Sequence, residues 1–503
     1  MTKNELLDII IIGGGISGLY ILDHLLSNFQ TKDLKIRLFE KENYLGGRIK
    51  TIYEENGKVK FETGPWRFHN SHSRIKKLIE KYQLPYQQTT SSLSESFHQQ
   101  IDYCQTSQNK KRNQKLTHKS INSSSSKSSV AGLSMMDNMI YQNDYCYYKD
   151  QQLYHNTPKI MDSTNNVHCS QNEDKGTHYF LPKGFSQLIE KMTYLHKNQI
   201  NLNSFIDDII YLPTEKQYQL QIITNNHIKY FKTQYLFFCL PPHFTRYWTI
   251  SKLYLKPLIF SVDTLSLSHL YGYDSNLSNF HQNKFQVFTT SSLDQVVSGN
   301  YQNKWFQVAY NLDARADFWK HMIQLFPGKI KKIINQTLAK MNLKLKISDY
   351  HQCYTEKAVH YWNSNYGFNL QQNVLKSIYP DPVNLPGLFW AGEAFSSNQG
   401  WIEGALETAE LAIKQFYQVF NHQYHFYPII VDAKLEYLIL DNRVLDVSQW
   451  KKVHPGSIQS INNHLQEDIS QLFRMINHKE YSWAIALNLQ KYWLYQGKIG
   501  YFS

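Results

Sequence analysis

DIIIIGGGISGL, residues 8–19, is the stretch whose reading decides the fold. Four consecutive isoleucines, Ile9, Ile10, Ile11 and Ile12, make the short β-branched run expected of a strand buried on both faces of a parallel sheet. Gly13, Gly15 and Gly18 follow on the spacing G-x-G-x-x-G. Without a Cβ they permit a tight turn, close approach of a pyrophosphate to backbone N–H groups, and close packing of the next helix on the strand. That helix, through Leu19, Leu22, Leu25 and Leu26, points its positive end at the phosphates. A second strand at residues 35–39 ends in Glu40, about 20 residues on, where a carboxylate can hydrogen-bond an adenosine ribose.

Outward from this unit, 503 residues are enough for two to four domains. Aromatic residues make up 15%, with 36 tyrosines, which suits the packing of planar cofactors as well as a plain compositional bias. The net charge of +12 is spread without a long basic stripe, and Lys110, Lys111 and Arg112 sit in a polar tract, so nucleic acid is not an expected partner. Five cysteines, Cys104, Cys146, Cys169, Cys239 and Cys353, are odd in number and lack a C-x-x-C pair, which argues against a disulfide framework or a zinc site. No apolar leader and no run of about 18 apolar residues occurs, so a soluble, cytoplasmic protein without a transmembrane segment is expected.

After Glu40 comes EKENYLGGRIKT, in which the Gly46-Gly47 turn lets the Arg48 guanidinium reach a pyrophosphate already held by the first loop. These first fifty residues resemble the flavin-dependent amine oxidases. The resemblance makes Gly13, Gly15, Gly18, Glu40, Gly47 and Arg48 contacts of FAD. The next segment, FETGPWRFH, narrows the likeness to L-amino-acid oxidases, whose Gly-Pro-x-Arg arginine binds the substrate carboxylate. Arg67 takes that place here, and a surface position or a second pyrophosphate contact is the alternative.

Between residues 85 and 175 the composition turns to Ser, Asn, Gln and Lys, as in a partly disordered insertion, with an aromatic hairpin expected at residues 145–154. Structure resumes with YFLPKGFSQLIEKM and a helix through Leu188, Ile189 and Met192. The resemblance sets Ile206, in INLNSFIDDI, against adenine, and two further strands end at Pro241 and Pro242. Residues 260–342 are expected to build the substrate domain, with strands at 265–273 and 305–312 and helices on either side of Pro327. Many amine oxidases place a flavin-facing lysine in this region, and VDTLSLSHLYGYD contains none. The second flavin block, GLFWAGEAFSSNQGWIEGALETAELA, resembles the segment in which Gly392 and Glu393 meet the ribityl chain. In it Trp401 walls the isoalloxazine, Gly400 and Trp401 open a helix whose N-terminus can stabilise negative charge at the flavin's pyrimidine end, and Ile402 is a further cofactor contact. Core packing is the plainer reading of that tryptophan.

A further stretch, DNRVLDVSQWKKVHPGS and then NHLQEDISQLFRMINHK, resembles cytochrome b5. His454 and His478, 24 positions apart, match that family's axial haem ligands, with Asp468 and Phe473 in register. A strand at residues 444–447 precedes the first ligand, and a closing helix is expected over 483–493. Ser457, where a second glycine is usual, and Asn462, Asn463 and His464 depart from the pattern, which leaves a haem-free domain open. Seven acidic and eight basic residues between 430 and 503 leave no acidic docking face, which a partner tethered at roughly millimolar effective concentration does not need.

The expected architecture is an α/β FAD-binding Rossmann-type domain with an inserted α+β substrate domain and a C-terminal α+β cytochrome b5-like domain. The FAD domain is expected from residues 1–84, 176–258 and 375–422, the insertion at 85–175, the substrate domain at 259–374, and the haem domain at 426–503. The resemblance implies FAD and haem b as cofactors, an L-amino acid or related amine as substrate, and leaves a homodimer open. A monoamine or polyamine oxidase, or a haem-linked electron carrier with a vestigial amine site, are the competing readings.

Overall fold

The computed structural model describes residues 5–28, 30–89, 178–277, 286–288, 291–297, 301, 303–341, 343–364 and 366–503. The hairpin expected at residues 145–154, Lys110 to Arg112, Cys104, Cys146 and Cys169 lie outside the described residues.

The isoleucine run forms the strand Glu5–Ile12, and Ile9, Ile10, Ile11 and Ile12 are all buried. A central parallel strand has sheet neighbours on both edges and layers on both faces, which is why both parities of its side chains are apolar. Its neighbours are Ile36–Phe39 on one side and His227–Phe238 on the other, both parallel. The full sheet runs Ile200–Asn201, Ile36–Phe39, Glu5–Ile12, His227–Phe238, Gln217–Thr224, Ser204–Leu212, with Leu388–Trp390 also pairing His227–Phe238. Helix α1 (Ile16–Ser27) packs on one face together with a helix over Ile402–Phe420, and the core there includes Ile9, Ile11, Leu22, Phe237 and Phe416. Helix α2 (Ser73–Lys81) closes that layer. We call the helix over Ile402–Phe420 α3.

A second sheet is five-stranded and antiparallel, in the order Gln286–Phe288, Gln295–Val297, Trp305–Leu312, Val262–Tyr273, Asp349–Trp362. The expected helices flank Pro327, as Asp313–Leu325 and Pro327–Lys340, with the proline at the first turn where its missing N–H costs nothing. They cover the sheet through Trp319, Ile330, Ile334 and Leu338. Three short strands, Phe68–His69, His178–Phe180 and Gln87–Gln88, form a separate sheet that ties residues before the polar insertion to those after it.

The C-terminal unit has a five-stranded sheet, ordered Phe426–Pro428, Lys498–Phe502, Gln490–Tyr495, Arg443–Asp446, Tyr437–Leu440. The helix expected over 483–493 is corrected: helix α4 spans Glu480–Leu489, and Gln490–Tyr495 is a strand. The alternating QKYWLY pairs with Lys498–Phe502 across Gln496 and Gly497, both at positive φ, the turn that suits a two-residue hairpin. Nor is this unit merely tethered. Leu487 of α4 enters the core that also holds Trp390, Phe395 and Val374, while Trp483, Ile485, Ala486 and Leu489 of the same helix build the C-terminal core.

Candidate functional site

Two glycine-bearing turns meet at the carboxyl end of the parallel sheet. Gly13 adopts φ +105°, and a Cβ there would strike the Cys239 carbonyl, while one at Gly18 would strike the Gly13 carbonyl. At Gly15, by contrast, a Cβ would meet open space. Gly46 N–H donates to the Gly14 carbonyl at 2.8 Å, which lays the Gly46-Gly47 turn over the first loop, and Gly47 itself has φ +60°. Gly392, φ +149°, also faces open space. Gly15 and Gly392 thus leave backbone uncovered past the carboxyl ends of Glu5–Ile12 and Leu388–Trp390, and Gly47 rests on Gly15, so this edge of the sheet offers the kind of crevice that a dinucleotide's phosphates and ribityl chain require.

The carboxylate of Glu40 accepts from Gly14 N–H at 2.6 Å and from Glu42 N–H at 2.8 Å. Each oxygen keeps acceptor capacity for a ribose hydroxyl. The Nη1 of Arg48 reaches Glu393 Oε1 at 2.5 Å and the Ala358 carbonyl, and the Gly64 backbone packs so closely on the Arg48 carbonyl that a Cβ would not fit there. Glu393 also accepts from His360 Nδ1 at 2.6 Å and from Gly400 N–H at 3.3 Å. Burial opposes its ionisation, but His360 and Arg48 outweigh that and hold the carboxyl at about 2. His360 stacks at 5.8 Å on His243, whose imidazole is pushed down to about 3 by burial and then by its cationic neighbours. The carbonyl of Ile206 accepts from the Trp248 indole at 3.3 Å, and its side chain points into the core rather than towards the crevice.

Trp401 is half-buried at the start of α3, and Ile402 behind it is buried. The indole is flanked by His72, 4.8 Å away and edge-on, and by His178, 6.1 Å away and stacked. His69 completes the cluster at 5.7 Å from His72 and 5.1 Å from His178. Arg67 lies over the Trp66 ring at 4.6 Å, and after burial it is the next cause lowering the pKa of His69. His69, His72 and His178 thus line one side of Trp401, and Arg67 precedes His69 by two residues. His72 Nδ1 accepts from His69 N–H, and burial pushes its pKa down to about 3, so it is neutral at neutral pH. Glu403 is turned away from this wall and caps α2 through Arg74 N–H and Ile75 N–H, both at 3.1 Å. The sequence reading passed over His72, His178, His243 and His360. The first two flank named motifs, but only the fold brings their rings to Trp401.

In the C-terminal unit His454 lies in the loop between Trp450–Lys452 and Ile458–Asn462, and His478 in the loop between Ser470–Met475 and α4. His454 Nδ1 lies 3.3 Å from both the Ser457 carbonyl and Ser460 Oγ, which leaves Nε2 as the ring atom for a metal. A Cβ on Gly456 would press on the His454 ring, which explains the glycine of His-Pro-Gly. His478 packs on Phe473 at 4.2 Å, and burial and then His454 lower its pKa. Val453, Ile458, Met475 and Ile476 are exposed around these two loops. Two imidazoles within a rim of uncovered apolar side chains fit a haem clamped from both faces. Among the described residues no three His, Cys, Asp or Glu side chains come together as metal ligands, so the imidazoles around Trp401 form a wall and not a metal cage.

Residues 430–501 match the family described as cytochrome b5-like Heme/Steroid binding domain. The C-terminal unit is a cytochrome b5-like domain. Residues 11–82 match the family described as NAD(P)-binding Rossmann-like domain. The fold as a whole is similar to solved structures of putrescine oxidase. A cofactor-binding redesign of that enzyme aligns over 84% of this chain and 100% of its own, with a TM-score of 0.53 at 12% identity. The wild type bound to putrescine aligns over 82% and 100%, with a TM-score of 0.51 at 11% identity. An uncharacterized protein of Acanthamoeba polyphaga mimivirus is 40% identical over 60 residues, a stretch that is 12% of this chain and 11% of that one. The cytochrome b5-like domain is thus joined to a Rossmann-like unit with the fold of an amine oxidase. No helix among the described residues is long and apolar enough to cross a membrane.

Proposed function

We propose that the chain is an FAD-dependent oxidoreductase that oxidises the C–N bond of an L-amino acid or related amine and passes the electrons to a haem b in its cytochrome b5-like domain. The observation that carries this reading is the Trp401 indole at the start of α3, flanked by His72 and His178, with Arg67 acting on His69 of the same cluster, in a fold whose glycine turns suit a dinucleotide. FAD, when bound, accepts the hydride from the carbon that bears the amine. The chain's own residues do the rest: Gly13, Gly15, Gly18, Glu40, Gly47 and Arg48 hold the nucleotide, with the Ile206 backbone assigned to adenine, and Gly392, Glu393 and Ile402 border the ribityl and ring end. Arg67 grips the substrate carboxylate in two places, and Trp401 limits the space over the reacting carbon. Neutral imidazoles beside Arg67 keep the wall polar without adding charge that would repel the substrate amine. The resulting imine is hydrolysed by water to a keto acid or aldehyde and ammonia.

The likeness to putrescine oxidase makes a diamine the second reading. A diammonium ion needs a carboxylate to receive its far end. Among the described residues the rings on Trp401 are the imidazoles of His72 and His178, and the nearby carboxylate of Glu403 is held by the first N–H groups of α2, which favours a carboxylate-bearing substrate read by Arg67. The absence of lysine in Val262–Tyr273 fits a flavin that discharges to haem and not to oxygen. Anaerobic flavin bleaching, screened over L-amino acids, monoamines and diamines, tests the reading. Arg67→Ala should weaken turnover of amino acids by about 2 kcal/mol or more while sparing the matching amines. Equal losses on both classes would remove Arg67 from the pocket.

A further inference from the structure

The joint between the flavin-side unit and the cytochrome b5-like domain is built as an interior. Arg443, 2% exposed, pairs with Asp381, 0% exposed, at 3.0 Å, and its Nη2 also reaches the Tyr254 and Pro380 carbonyls. Trp493 lies under the guanidinium at 5.0 Å. Asn384 binds the carboxylate of Asp381 from one side and accepts from Asn442 at 2.9 Å on the other. At α4, Asn373 donates to Asn488 at 2.7 Å and Lys376 to the Leu487 carbonyl at 2.9 Å.

A buried ion pair is poor glue, because both charges recover their hydration when the joint opens. It is a strict key, since any shifted docking leaves a guanidinium and a carboxylate buried apart. The glue is apolar, and it comes from α4, whose last two turns have no face left for solvent.

This fixed docking brings aromatic groups of both units together. From the haem side, His478 packs on Phe473, and Phe473 meets Trp483 at 4.9 Å. Phe260 of the flavin-side unit packs against that same core, and Arg246 lies over Phe260 at 5.3 Å. A cleft of about 450 Å³ at the joint is lined by Arg246, Phe260 and Asp263 from one unit and by Lys479, Glu480 and Tyr481, directly after His478, from the other.

We propose that Arg443 is a positioning residue that locks the cytochrome b5-like domain in one orientation, so that electrons cross to its haem through the shared core that holds Phe260 and Trp483, with no swing of the domain. The proposal rests on the function proposed above only for the identity of the donor. Each reduced flavin gives up two electrons singly, each converting one ferric iron to ferrous. Two protons go to solvent, and a one-electron acceptor outside the chain reoxidises the iron between the two transfers.

Light-driven reduction of the flavin in the holoprotein tests this without any amine. The haem should then be reduced at a rate independent of protein concentration and of added glycerol. Arg443→Met should slow that step at least tenfold and make it viscosity-dependent, with the haem spectrum and flavin photoreduction unchanged. In the same variant, protease should cut residues 421–425, which connect α3 to the strand Phe426–Pro428, faster than in the parent. Asn384→Ala with Lys376→Met thins the joint without stranding a charge and should show the same trend. A parent rate that falls with viscosity overturns the proposal, as does a rate unaffected in a variant whose connection has become cleavable. Failure of amines to bleach the flavin would count against the proposed substrate class and leave this result standing.

Discussion

Ser457 holds φ +87° and ψ 156°, a region that glycine adopts freely and a side chain does not. What the residue gives in return is a side-chain cap on Ser460 N–H. Such strain costs on the order of 1–3 kcal/mol and a Gly-for-Ser cap only a few tenths. Ser457→Gly should therefore stabilise the haem loop by about 1 kcal/mol, read from amide exchange over residues 454–461. Two buried carboxylates set opposite pH windows. Burial raises Glu62 from 4.5 to about 7 against the hydrogen bonds of Phe185 N–H, Thr51 and Tyr301. Between those values the folded chain keeps a proton that the unfolded chain has lost, so stability falls as pH rises, by on the order of 3 kcal/mol in all. Glu393, held at about 2, gives stability that is complete above 4.5 and is lost as pH falls through about 2. Urea midpoints from pH 2 to 8 should show Glu62→Gln flattening the neutral-side slope and Glu393→Gln the acid-side slope. A neutral-side slope unchanged in Glu62→Gln would contradict the assignment.

At the scale of elements, the sequence was most legible where one residue type had one job. The isoleucine run could only be a doubly covered strand, and Pro327 could only begin a helix. Residues 490–495 misled because the apolar WAIAL of α4 runs on into NLQKYW with no Gly or Pro between them to mark where the helix stops. The hairpin turn at Gln496 and Gly497 is what marks the strand. Helix α4 serves two cores, and the sequence does not show which side chains go to which. Leu487→Ala, at 2% exposure, should cost about 2–5 kcal/mol and loosen the joint as well as the helix, measured as paired losses in thermal stability and protease resistance.

Over the whole molecule, what the sequence hid was pairing at long range. Arg443 and Asp381 are 62 positions apart, and His72 and Trp401 belong to separate motifs. Each looks like an ordinary surface residue until the fold buries it. The glycine loops and the two haem-loop histidines were readable because their spacing is local and their geometry demands particular residues. Whether these parts form one electron path is decided by anaerobic stopped-flow spectroscopy of the holoprotein mixed with a substrate amine. The account predicts that the flavin bleaches first and the haem is reduced afterwards in the same chain, at a rate that does not depend on protein concentration. A haem that stays ferric while the flavin is fully reduced would contradict it.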